Sequence, residues 1–239
     1  MTPPAFEALM QLQELDSAID RERYRHQTLP ERAELAAADE RARALAGRQD
    51  RLAARLASVV ERQVTLENDL AHTEARADEV NKRLYGGEVS ASRELQAMAA
   101  DVDSLKARAS SLEEQVLEIM MERDPLDGDM ASMEEEKASV DGERDQILGR
   151  MAAAEAEIDR AVSALRDQRK AAAGRVPPDL LATYERLREK LGGVGAARLI
   201  GGSCTGCHLA LPATELDRLK HTAPEVVVFC DQCGRILVR

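Results

Sequence analysis

Residues 85–92 read YGGEVSAS, and they interrupt a chain that otherwise has the makings of very long helix. Gly86 and Gly87 after Tyr85 end a helix well, because glycine adopts the left-handed conformation that closes a C-terminus. Ser90 or Ser92 can then cap a new helix by accepting from its first free N–H groups. The reading is a reversal: one helix arrives at Tyr85, Gly86 and Gly87, and the next leaves from about Ser92 in the opposite direction.

The flanking segments carry the matching period. A 3,4 spacing from Leu35 runs through Ala38, Ala42, Leu45, Gln49, Leu52, Leu56, Val59, Gln63, Leu66, Leu70, Thr73, Ala77 and Val80 to Leu84. A second frame starts at Leu95 and passes Met98, Val102, Leu105, Ala109, Leu112, Val116, Ile119, Arg123, Leu126, Met130, Met133, Lys137, Val140, Arg144, Ile147, Met151, Ala154, Ile158 and Ala161 to Leu165. Neither frame skips. An apolar residue every 3.5 positions gives a left-handed supercoiled seam. Lys137 and Arg144 fall in the seam as misfits whose heads can reach the rim. The fold class expected is mainly α: a long antiparallel coiled-coil helical hairpin. Arm one spans about 31–84 and arm two about 92–173. A first helix over about 5–27, broken off at Thr28-Leu29-Pro30, makes up the difference in length. An arm of such size runs on the order of 120 Å. Pro125, with Gly128 nearby, is expected to kink arm two.

Proline and glycine divide the rest. AAAGRVPPDL closes the hairpin near Gly174 and Pro177, giving a coiled-coil region over residues 1–176. Residues 177–196 read as a short helix, about 178–191, and a linker; residues 197–239 read as a small β-rich module. Within it ARLI, HLAL, EVVVF and RILVR look like short strands, and PATELDRLKH like a helical insert.

Composition agrees with long helices. Aromatics are 2%, Trp is absent, and charged residues are 32%. No run of apolar residues is long enough to span a membrane, and MTPPAFEALM lacks the basic start and apolar core of a signal peptide. A cytoplasmic location is expected, where thiols stay reduced.

That matters for the cysteines. CTGC (204–207) and CDQC (230–233) give C-x2-C-x22-C-x2-C and hold all four cysteines of the chain. Each CxxC places two sulfurs on one cation, and two such knuckles complete a tetrahedron. A redox dithiol belongs at a helix start in a βαβ setting, which this region lacks. Cys204, Cys207, Cys230 and Cys233 are therefore candidate ligands of one structural Zn²⁺, with Gly206 and Gly234 supplying flexible backbone. His208 and His221 read as bystanders. Four thiolates leave no open coordination position, which argues against zinc catalysis. GGVG lacks the ending of a phosphate loop, and Glu134–Glu136 reads as a solvated helix face. The Met cluster (Met120, Met121, Met130, Met133) reads as core or seam. No catalytic set and no small-molecule substrate are expected.

RLYGGEVSASRELQAM in the middle and GGSCTGCHLALP…FCDQCGRILV at the end resemble the bacterial C4-type zinc-ribbon family with an N-terminal coiled-coil hairpin. The resemblance covers essentially the full chain. It implies the same four cysteines as zinc ligands and a non-enzymatic role: an adaptor or chaperone-like protein that binds partner proteins through the hairpin. Asp231 stands where such ribbons often have proline.

Charge supplies the alternative. The chain carries −11, but residues 160–198 hold nine basic and four acidic side chains, a net +5. Nucleic-acid binding by the ribbon and this segment would draw on Arg166, Arg169, Lys170, Arg175, Arg186, Arg188 and Lys190. Few aromatics are available for base stacking, apart from Tyr184 and Phe229.

Overall fold

The computed structural model describes residues 3–87 and 89–239; of the 85–92 reversal, Glu88 lies outside the described residues. The elements in chain order are α1 (Pro4–Gln27), α2 (Pro30–Tyr85), α3 (Ser92–Ala173), α4 (Pro178–Lys190), β1 (Ala196–Ile200), β2 (Ser203–Cys204), α5 (Ala213–His221) and β3 (Ile236–Val238). The protein is mainly α, a long antiparallel coiled-coil hairpin followed by a small β-rich ribbon. It divides into two compact units, one of Glu34–Gln146 and one of residues up to Ala33 with Ile147–Arg239.

The first of these is coiled coil alone. Every α2 position of the seam from Leu35 to Leu84 is buried or half-buried, and so is every α3 position from Leu95 to Arg144 except Lys137, which is exposed. Lys137 does reach the rim; Arg144 instead bonds Asp39 at 2.7 Å. The two arms are also matched in charge. Arg41 pairs with Glu143, Arg48 with Glu136 and Arg62 with Glu122. Each arginine directly precedes a seam residue of α2 and each glutamate a seam residue of α3, the positions that meet across one edge of an antiparallel pair. From Arg41 to Arg62 and from Glu143 back to Glu122 are equal steps of 21 residues. The register is therefore constant through Pro125. α3 runs as one uninterrupted helix through Pro125 and Gly128, both exposed. Pro125 removes one hydrogen bond, leaving the Met121 carbonyl without its helical donor. Inside the seam, Arg123 donates to Gln63 at 3.4 Å, and the same register sets Gln49 opposite Lys137. Polar layers of this kind fix register at some cost in stability.

The other unit is built differently. β1 is central, antiparallel to β2 and parallel to β3. Alternation along the strands gives the sheet two faces. Ala196, Ile236 and Val238 pack with Phe6, Leu9 and Leu12 of α1, Ala172 of α3, and Leu180 and Tyr184 of α4. Ala197 and Leu237 face the other way, into a core with Cys204, Cys230, Leu211, Leu219 and Val228. Of the expected strands, HLAL and EVVVF contribute single bridges only, Ser203 to Ala210 and Phe229 to Ile236. The knuckle turns take up the residues that a longer ladder would need. Leu29, in the α1–α2 break, is buried against Ile158 and Val162.

Candidate metal centre

The two knuckles have the same local build. In each, the carbonyl of the first cysteine accepts from the N–H four residues on: Cys204 from His208 at 2.8 Å and Cys230 from Gly234 at 2.7 Å. In each, the N–H of the first cysteine donates to a carbonyl five residues on, that of Leu209 or Arg235. Closing this turn requires left-handed backbone at the fourth position. Gly234 adopts it at φ 73° and His208 at φ 62°. His208 thus stands where the other knuckle has glycine, a conformation that costs a residue with a Cβ on the order of 1 kcal/mol. Its ring is no ligand, but its backbone is part of the site. Gly206 is needed for space: a Cβ there would lie 2.6 Å from Arg235 Cδ and 3.0 Å from Ala197 Cβ.

The four Sγ atoms all lie within 4.8 Å of one another. The contacts across the knuckles, Cys204 to Cys233 and Cys207 to Cys230, are both 3.9 Å. A tetrahedron with Zn–S bonds of about 2.3 Å has S···S edges of about 3.8 Å, so the donor set fits zinc in number, type and spacing. The distances are far too long for disulfides. Backbone N–H groups aim at the sulfurs, as Gly206 does at Cys204 Sγ at 3.4 Å. Such donors and the ion together offset the charge of four thiolates. Without metal, burial pushes the Cys230 thiol up to about 12 and raises that of Cys204. Burial also raises Cys233, but hydrogen bonds from the Arg235 backbone and side chain, Cys230 and Cys207 outweigh it and bring the group down to about 7. Zinc binding must therefore displace protons, and it weakens as pH falls. The bound ion is structural: it ties β2, the CTGC turn and the CDQC turn into one core.

The basic segment does not present one face. Arg169 turns inward. Its Nε donates to Asp16 Oδ1 at 2.6 Å, and its Nη2 to Asp16 Oδ2 at 3.1 Å and to Glu185 at 2.6 Å. Arg188 bonds Asp20 at 2.7 Å and brings Nε within 3.4 Å of Asp16 Oδ2 without the alignment of a hydrogen bond. Asp16, 1% exposed, also accepts from Tyr184 Oη at 2.8 Å. Burial and that carboxylate together raise the Tyr184 phenol far above its ordinary range. Arg175 donates to Gln11, and Arg198 donates two hydrogen bonds to Glu7, whose carboxyl it holds below the usual range. Arg166, Lys170, Arg186 and Lys190 are exposed and form no ion pair among the described residues. Sequence reasoning missed Gln13 as well. Its Oε1 accepts from Gly195 N at 2.8 Å and Ala196 N at 3.2 Å, tying α1 to the entry of β1. The clue was a glutamine and an aspartate at 13 and 16, on the apolar face of the first helix.

At the reversal, Tyr85 is exposed and Gly87 has φ 78°. A Cβ on Gly86 would lie 2.9 Å from the Lys82 carbonyl oxygen.

A C4 ribbon joined to an antiparallel hairpin defines a class, and the comparisons agree. Residues 12–192 match the CT398-like coiled coil hairpin domain and residues 203–237 the C4-type zinc ribbon domain. The chain belongs to the CT398-like coiled-coil hairpin family. An uncharacterised protein of Mycobacterium tuberculosis is 30% identical over 97% of this chain and 94% of its own length. A solved structure from Mycobacterium smegmatis superposes with TM-score 0.74 at 27% identity over the whole of both chains. CT398 from Chlamydia trachomatis shares the fold with TM-score 0.65 at 18% identity, covering 98% of this chain and 96% of its own. No helix among the described residues is long and apolar enough to cross a membrane.

Proposed function

We propose that this protein is a non-enzymatic adaptor that binds partner proteins through the hairpin, its ribbon serving as a zinc-built structural end. The observation that carries this reading is the division of labour between polar groups. The one cluster of metal-ligating side chains among the described residues is a closed four-thiolate set, which offers no position for water or substrate. The buried charges near it are spent on one another. The long helices keep their outer faces exposed, and such faces suit recognition by other helices or loops. Capture of native-cytosol proteins by the full chain, beside a variant from which matched heptads of α2 and α3 have been removed, tests it. Partners lost with the heptads support the adaptor; a shortened hairpin that retains every partner overturns it.

A second reading, nucleic-acid binding, rests on Arg166, Lys170, Arg186 and Lys190, exposed on α3 and α4. Arg169 and Arg188, with Arg175 at the margin, contribute little to it because their guanidinium groups are engaged. Gel shifts with DNA and RNA at two salt concentrations decide it: contacts to phosphate weaken steeply with salt, and no shift at low salt removes the idea.

A further inference from the structure

Met130 and Met133 lie half-buried in the seam, but Met121 is 76% exposed, Leu117 59% and Met120 43%. Spacings of three and four put these three side chains on one continuous face of α3. A coiled coil needs no large apolar residue on its outside, and these do nothing for the hairpin itself. Their surroundings are acidic. Glu113 and Glu114 lie one turn before, Glu118 beside, and Asp124 one turn after; all four are exposed and form no ion pair among the described residues. Glu122 completes the ring but is held by Arg62 at 3.1 Å.

We infer that this apolar island is a docking site for a cationic amphipathic helix of a partner protein, an assignment that rests on the adaptor reading and gives it an address. Charge selects the occupant. A second copy of this chain would set the same carboxylates against their own kind, and an anionic lipid surface or nucleic acid is repelled likewise. A helix with an apolar stripe and flanking Lys or Arg buries the stripe on Leu117, Met120 and Met121 and meets the carboxylates with its cations. Methionines suit this, being flexible enough to repack against different partners.

The test uses the full, zinc-loaded chain and two synthetic peptides of identical leucine and lysine content. One has its leucines at helical i, i+3, i+4 spacing; the other is scrambled. Titration calorimetry should show tighter binding of the patterned peptide. The triple variant L117S/M120S/M121S, which leaves every charge in place, should weaken it about tenfold with helix content by circular dichroism unchanged. A single change, Met121→Ser, at a position 76% exposed, serves where the triple variant loses helix. Equal binding of both peptides, or patterned binding unaffected by the variants, overturns the inference. So does concentration-dependent self-association, or binding to anionic vesicles, that the variants abolish. Hairpin-dependent partners that bind the variants normally sink this site and leave the adaptor reading standing, whereas the shortened hairpin tests that reading alone.

Discussion

The two units of this protein solve the same problem by opposite means. In Glu34–Gln146 each contact repeats. One seam, one charged edge and one register are copied along two helices, and the paired charges are exposed, where an ion pair is worth about 0.2–1 kcal/mol. In the unit that carries the ribbon, the matched pair of knuckles aside, the main polar contacts are each made once. Asp16 gathers Arg169, Tyr184 and Arg188 from two other helices, Gln13 holds the start of a strand, and four sulfurs hold a metal. Repetition spreads stability thinly and makes register the thing that charges decide. Uniqueness concentrates stability in a few groups whose removal is costly.

Hydrogen exchange resolved by segment can break that comparison. The largest effect belongs to the metal: structural zinc is worth about 10–16 kcal/mol of folding in small modules. Cys230→Ser, or a strong chelator, should take zinc content below one per chain and strip protection from 196–238 while 40–80 stays protected. Uniform loss along the whole chain would refute the separation of units. Next comes Asp16→Ala. It leaves Arg169 and Tyr184 without their buried partner and should cost about 3–5 kcal/mol, seen as faster exchange in 5–25 and 178–200 with no change near Val59. The knuckles sharpen the scale: Gly234→Ala should lose about 1 kcal/mol and His208→Gly gain up to about the same, measured as the shift in the chelator concentration that releases zinc. The smallest effect lies in the hairpin. Arg41→Glu should cost about 0.5 kcal/mol in thermal melts at low salt and nothing at high salt, and adding Glu143→Arg should restore the parent value. A double variant no better than the single would mean that the paired edge does not set register.

The same contrast decides what could be read in advance. The hairpin's ends, seam and reversal were legible because each is a local or periodic signal: glycines at 86 and 87, leucines at regular spacing, Pro30 and Pro178 at helix starts. The zinc ligands were legible because CxxC is local and the second copy confirms the first. The pairing of Arg41, Arg48 and Arg62 with Glu143, Glu136 and Glu122 was not read, because periodicity gives each seam but not the register between the two arms. At Pro125 the helix runs on: a solvent-facing proline costs a long helix one hydrogen bond, and the packing of the seam outweighs it. The tie between α1 and the rest was legible only in part. Gln13 and Asp16 stand out as polar residues on the apolar face of α1, but their partners lie more than 150 residues away, and nothing local names them. Arg169 and Arg188 counted as free positive charge for the same reason.

The sheet of the ribbon has one further consequence, for transplantation. Ala196, Ile236 and Val238 are covered by α1, the end of α3 and α4, while their neighbours Ala197 and Leu237 line the metal-side core. A ribbon cut out at residue 197 and fused elsewhere would carry its zinc and an uncovered oily back. The portable cassette is larger than its cysteines: it brings α1, the end of α3 and α4 with it, so segments far apart in the chain have to travel together.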